Sequence, residues 1–543
     1  MTAVHESLRA FTDVVRNPRV RKIQIAGAAA TLGTWAYAVA LPVYAYHAGG
    51  ARAVGLLFFA RFVLAAVAAP WLGVLADRWS RRQLMAYADA ARLAIFAAMA
   101  AVASAGGSAW FVYVLAVSST IVSGSYGPAQ SALMPSLVDS PEELTAANLV
   151  GNTIASVGMF AGPALGGVLL ATSGPAAVFA ANAATFLWSL LWVVQVPRDE
   201  RPATARERQA VRDLANGMRT VAGNRALRAI IGLSAAQAAV AGAFEVLLVV
   251  LALRLLHSGN AGVGWLNTAV GAGAIAGALA VAVVAHRRRL AGGLGLGVLL
   301  CGLPIAATVS FLHFGVALVL VGLVGAGGVL VDVTGVTLIQ RSAENDVLGR
   351  VFGALQSLVL AGLAIGSISA PALVSWLGPR AAVVATGLFL PALLVPLWTQ
   401  LRRIDAAGRV EERPLALLRA IPMFALLPEP TIERLAGLAV PVSVPAGAAV
   451  FTRGDAGDRF YVIESGRAVV ETERPTELDR GGFFGEIALL RDAPRSATVR
   501  AVGDLGLYAL ERDDFLAAVT GHAPSREAAE RVVDVRLAAG LAL

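Results

Sequence analysis

The sequence predicts two unlike parts: an all-α membrane bundle of twelve transmembrane helices in two six-helix halves, then a soluble C-terminal β-roll with flanking helices. Three observations predict it. Of 543 residues, 57% are hydrophobic and only 15% charged, with a mean hydropathy of +0.69, against about 45–50% apolar and 25% charged in soluble domains. Apolar stretches of roughly 20 residues, enough to cross a bilayer as helix, recur from Ile23 to Trp398. Beyond residue 400 the pattern changes to short strands separated by turn residues.

In chain order, Met1 to Lys22 is a polar leader carrying Arg9, Arg16, Arg19, Arg21 and Lys22; it does not look like a cleaved signal and reads as cytoplasmic. The spans fall at 23–46, 54–76, 83–104, 109–131, 145–171, 175–196, 227–255, 261–285, 290–310, 314–339, 347–376 and 380–399. Loops on the leader's side hold Arg78, Arg81 and Arg82, then Arg198 through Arg228, Arg287 to Arg289, Arg341 and Arg350; the opposite loops hold little beyond Arg52 and Arg380. The positive-inside rule then places both termini in the cytoplasm of a multi-pass protein of the cell membrane, although the acidic loop at Asp139, Glu142 and Glu143 adds no support. The same topology accounts for the net charge of +8, so no nucleic-acid partner is expected.

The expected domains are 1–196 and 226–400 as the two halves, 197–225 as a central cytoplasmic loop, 401–413 as a linker, and 414–543 as the soluble domain. The central loop reads either as a helix lying on the membrane face or as a solvated linker. Within the last domain, Ala449-Val450-Phe451, Phe460-Tyr461-Val462-Ile463, Ala468-Val469-Val470 and Leu505 to Leu510 are strands, with helices from Pro430 to Leu438 and from Ser525 to Ala539. Cys301 is the only cysteine, so no intrachain disulfide exists. Lys22 is the only lysine, so the phosphate loop GxxxxGK[ST] cannot occur and an ATP-driven pump of the usual kind is excluded. No metal site or catalytic constellation stands out, and the chain does not read as an enzyme.

Between spans 2 and 3 stands Gly73-Val74-Leu75-Ala76-Asp77-Arg78-Trp79-Ser80-Arg81-Arg82. This resembles the loop signature of the major facilitator superfamily, with Ser80 where that family favours Gly. The resemblance implies a secondary transporter of a small organic solute gated by Gly73, Asp77, Arg78 and Arg81. The Asp77 carboxylate would dock on a neighbouring helix N-terminus while the arginines sit at the headgroups. Span 5 carries Gly162-Pro163 and Gly166-Gly167, similar to the pattern of the superfamily's exporters, which implies efflux; small residues allow close helix approach and Pro163 bends the helix. Plain small-residue packing is the alternative. Ionisable residues inside spans cost about 2.5–3.5 kcal/mol each on insertion scales and mark function. Five qualify: Arg61, Asp89, Arg92, Glu245 and Asp332. Asp89 and Arg92, three apart, read as a structural pair, whereas Glu245 and Asp332 read as proton or substrate contacts.

Near the end, Phe484-Gly485-Glu486-Ile487-Ala488-Leu489-Leu490 is followed by Pro494-Arg495-Ser496-Ala497-Thr498-Val499. Each residue type fits one part of a cyclic nucleotide. Gly485 lets backbone come close and Glu486 can accept from a ribose 2′-hydroxyl. Arg495 offers a planar fork to the cyclic phosphate, and the turn after Gly485 can aim N–H groups at it. The run resembles the phosphate-binding cassette of the cyclic-nucleotide-binding domain family. That resemblance implies a site of Phe484, Gly485, Glu486, Ile487, Ala488, Arg495, Ser496 and Ala497 under a closing last helix, with Val533, Arg536 and Leu537 as lid candidates. It also implies cAMP as an allosteric regulatory ligand, because the family's cAMP binders carry Ser or Ala where its cGMP-selective members carry Thr, and Ser496 stands there. Expected partners are therefore membrane lipids, cAMP and a small-molecule substrate. A membrane-anchored cyclic-nucleotide receptor without transport is the competing reading; a cyclic-nucleotide-gated channel is disfavoured because no TVGYG-like filter occurs.

Overall fold

The computed structural model describes residues 17–138, 140–197, 210–284, 290–343, 347–407, 412–472 and 475–538. The chain divides into two compact units, Met1–Arg402 and Arg403–Leu543.

The first unit is helical: α1 (Pro18–Arg78), α2 (Arg81–Ser104), α3 (Ala109–Leu133), α4 (Pro141–Val193), α5 (Ala210–Gly223), α6 (Arg225–Val250), α7 (Gly259–Val284), α8 (Leu290–Ala307), α9 (Phe314–Ser342) and α10 (Leu348–Ala407). Local chemistry sets the starts. The Ser140 hydroxyl accepts from the Glu143 N–H, with Pro141 at the first position of α4, and the Asn224 carboxamide accepts from Ala226 and Leu227 at the start of α6. Among the described residues, nine helices are long and apolar enough to cross a membrane. Three of those stretches run 52, 51 and 55 residues, far beyond the roughly 20 that one crossing needs. Each breaks at glycine: Gly49-Gly50 in α1, Gly174 in α4 and Gly378 in α10, with φ of +64°, +77° and +80° at Gly50, Gly174 and Gly378. The breaks coincide with gaps expected between spans. Trp110, Trp376 and Val395 stand exposed on the outside, an apolar exterior suited to lipid rather than water.

Small residues bring the helices together. A Cβ on Gly162 would lie 2.4 Å from Trp35 Cβ, and one on Gly166 would lie 2.6 Å from the Ala36 carbonyl oxygen, so α4 rests directly on α1. The same stretch reaches the second half, where a Cβ on Gly167 would meet Gly264 Cα at 2.8 Å. One on Gly55 would lie 2.4 Å from Pro371. A third inter-half approach lies in mid-helix, where a Cβ on Gly271 would lie 2.6 Å from the Met159 carbonyl oxygen. Of the expected central loop, residues 210–223 form helix α5, with Val221 buried and Gly217 against the Arg350 carbonyl, while 198–209 lie outside the described residues. Residues 1–16, Asp139 and Arg287 to Arg289, used for topology, lie outside them too.

The second unit begins with α11 (Glu412–Arg419) and α12 (Glu429–Leu438). Eight strands follow: β1 (Val440–Val444), β2 (Ala449–Phe451), β3 (Arg459–Ser465), β4 (Ala468–Glu471), β5 (Thr476–Leu478), β6 (Phe483–Phe484), β7 (Thr498–Ala501) and β8 (Leu505–Glu511). They form two antiparallel sheets of order β1-β8-β3-β6 and β2-β7-β4-β5. Helix α13 (Glu486–Leu490) bridges β6 and β7, and α14 (Arg512–Thr520) and α15 (Ala523–Ala538) close the unit. Where the helices meet the roll, Phe460 stacks on Phe515 and Phe424 meets both edge to face, with ring centroids 4.9–5.9 Å apart. A second core inside the roll holds Phe451, Tyr461, Phe484, Val499 and Leu507, and Val533 of α15 plugs into it.

Candidate functional site

The cassette is built at the β6–α13 turn. Gly485 sits at φ +94°, and a Cβ there would lie 2.7 Å from Arg495 Nη1 and 3.0 Å from the Arg459 carbonyl oxygen, so both conformation and space demand glycine. Phe484, Ile487, Ala488 and Ala497 are buried and hold the turn against the roll. Arg495, only 2% exposed, donates from Nη1 to the Gly485 carbonyl at 3.0 Å. Its Nη2 donates to the Arg459 carbonyl at 2.8 Å and to Asp458 Oδ1 at 3.1 Å, and its guanidinium stacks 4.2 Å from the Phe451 ring centroid. Both Nη atoms thus brace the turn. Asp458, Arg459 and Phe451 lie on distant strand ends, and no local motif marks them.

Glu486 is fully buried. Its Oε1 accepts from Arg536 Nη1 of α15 at 2.6 Å, and Arg536 Nη2 also donates to the Phe483 carbonyl at 3.1 Å. Burial pushes the Glu486 carboxyl up from its ordinary value, outweighing the downward pull of Arg536 beside it. Of the three lid candidates, Val533 and Arg536 engage the roll, while Leu537 is 45% exposed.

Three atoms in this cassette are buried without a hydrogen-bond partner: Glu486 Oε2, Arg495 Nε and Ser496 Oγ. Leaving such groups unpaired costs about 1–3 kcal/mol each. A ribose hydroxyl can donate to Oε2, and an anionic phosphate can accept from Nε, from Ser496 and from the first N–H groups of α13.

In the bundle, Asp89 and Arg92 pair at 2.6 Å, both buried. Ser189 of α4 donates to Asp89 Oδ2 at 2.7 Å, and the Arg92 guanidinium lies 4.5 Å and 4.3 Å from the ring centroids of Tyr126 and Phe186. Both Asp89 oxygens are thus engaged. Arg61 donates from Nε to Thr120 Oγ1 at 2.9 Å. Glu245 and Asp332, on α6 and α9, both line one cavity. In the loop signature, Arg81 donates to the Ala132 carbonyl at 2.8 Å, at the end of α3, where a cation suits the helix dipole. The side chains of Asp77 and Arg78, and Gly73, lie outside the described side chains.

Comparison with known proteins places the bundle. The family model "Major Facilitator Superfamily" matches residues 23–361. The chain belongs to the Major Facilitator Superfamily. In this superfamily member the model "Cyclic nucleotide-binding domain" matches residues 441–522, so the β-roll is such a domain fused behind the superfamily bundle. A cyclic nucleotide-gated potassium channel of Rhizobium etli is 36% identical over 172 residues, 32% of this chain and 41% of the channel. A cAMP-dependent protein kinase regulatory subunit of Yarrowia lipolytica is 39% identical over 145 residues, 25% of this chain and 38% of the subunit. The chain thus spans about two fifths of the length of these relatives. A solved structure of the regulatory domain of Toxoplasma gondii PKA with cAMP is 24% identical, covering 24% of this chain and 52% of that one, at a TM-score of 0.22.

Proposed function

We propose that this chain is a secondary active transporter of the cell membrane that moves a small organic solute under control of cAMP bound to its C-terminal domain. Each broken helix counts as two crossings, giving twelve spans in halves 1–196 and 226–400, with both termini cytoplasmic and a linker at 401–413 before the domain at 414–543. The halves pack closely where Gly167 faces Gly264, Gly55 faces Pro371 and Gly271 faces Met159, which supports the two-half layout of an alternating-access transporter. The direction we propose is export, resting on the Gly162-Pro163 and Gly166-Gly167 pattern, with Asp77 acting as the latch.

The observation that carries regulation is the set of orphaned atoms on Glu486, Arg495 and Ser496. Their donor and acceptor types match a cyclic nucleotide's ribose and phosphate. Calorimetry of cAMP binding to the full chain in detergent tests this, with Arg495→Ala as the control. Loss of Arg495 removes the charge opposite the phosphate and the brace of the Gly485 turn, so binding should fall by several kcal/mol. Equal affinity in both proteins defeats the reading.

A further inference from the structure

A cavity of about 210 Å³ lies inside the bundle, with walls from α4, α6, α7, α8 and α9. Phe244 and Met159 give it apolar surface, Gln237 and Asn267 give it amides, and Glu245 and Asp332 are the charged side chains among the described residues that line it. The side chains of Glu245 and Asp332 both keep exposed surface, and both line the cavity. Neither carboxylate makes a hydrogen bond or ion pair among the described residues. This contrasts with Asp89, whose two oxygens are taken by Arg92 and Ser189.

An unpaired carboxylate at membrane depth is costly, and two around one apolar cavity call for positive charge from elsewhere. Arg61 reaches Glu245 only through its field: it does not line the cavity, and its Nε is engaged by Thr120. A bare metal ion does not fit, since no cluster of three or more His, Cys, Asp or Glu side chains with metal-binding geometry occurs among the described residues. An anion would meet repulsion from both carboxylates with no lining cation to offset it. A cation with an apolar body meets every requirement. Its charge pairs with the carboxylates, its body packs on Phe244 and Met159, and the aromatic face attracts it further.

We infer that this cavity binds an organic cation, a protonated amine or quaternary ammonium with an apolar body, held by Glu245 and Asp332. On the transport reading proposed above, that cation is the solute carried.

The test is equilibrium dialysis of radiolabelled tetrapropylammonium and benzyltrimethylammonium against purified full chain, each compared with its uncharged carbon isostere. Saturable binding of the cations is expected, weakened about tenfold or more in Glu245→Gln and in Asp332→Asn. The isosteres should bind no better to wild type than to the variants. Monodisperse elution and unchanged cAMP binding show that the variants are folded. Absence of saturable cation binding to wild type, cation binding unaffected by both substitutions, or equal binding of the isosteres overturns the inference; carboxylates serving only protons would give the second result. Counterflow of the bound cation in liposomes is a separate measurement: cation binding without counterflow sinks the transport reading and leaves the cation site standing.

Discussion

Arg536 donates to one oxygen of Glu486 at 2.6 Å, while the other oxygen of the same buried carboxylate has no partner. Helix α15 and a ribose hydroxyl can therefore share Glu486 rather than compete for it. Arg536→Ala should weaken cAMP binding, because the carboxylate loses the cation that keeps it oriented and charged. Charge-assisted hydrogen bonds contribute about 1.5–3 kcal/mol, or roughly 10- to 150-fold in affinity. Calorimetry decides the matter, and tighter binding in the variant would show that Arg536 competes with the ligand.

Glu486 also gives the domain a pH dependence. Its carboxyl is raised above the ordinary 4.5 by burial, so folding takes up a proton there. Such a group's stabilising contribution is present below its unfolded pKa and is lost as pH rises through the higher folded value. Hydrogen exchange of the β3 and β8 amides in the nucleotide-free full chain, at pH 5 and pH 7, can compare wild type with Glu486→Gln. Relative to the variant, the wild type should lose stability as pH rises. The opposite slope would mean that the Arg536 pair outweighs burial.

Both oxygens of Asp89 are taken, by Arg92 and Ser189, so removing Asp89 leaves the buried Arg92 without its counter-ion. Asp89→Ala should cost about 3–5 kcal/mol of bundle stability. A thermal melt in detergent should drop accordingly, with cAMP binding intact. An unshifted melt would remove the pair from the structural frame.

The long apolar helices were legible because hydrophobic length reports them directly, and the breaks at Gly174 and Gly378 fall where the apolar runs pause. The cassette was legible because its residues are contiguous. The braces of Arg495 were not: Phe451 comes from β2, Asp458 precedes β3 and the Arg459 carbonyl begins it, and only the folded roll brings them together. Strands β1, β5, β6 and β7 were missed because Pro441 interrupts β1, Glu477 and Arg500 break the apolar character of β5 and β7, and β6 is two residues long; ladder partners such as Val440 with Ala509 define them instead. The pairing of Asp89 was readable from its spacing to Arg92, but Ser189, one hundred residues away, was not.

The central claim is that nucleotide binding at the roll changes transport through the bundle, and solute flux in proteoliposomes with cAMP on the side of the C-terminal domain measures it most directly. A regulatory coupling of about 1–3 kcal/mol corresponds to roughly 5- to 150-fold in affinity or state ratio. Wild type should respond to cAMP by a change on that scale, and Glu486→Ala combined with Arg495→Ala should transport at a rate that cAMP no longer alters. If cAMP binds the wild type and flux stays the same with and without it, the account of a regulated transporter is contradicted.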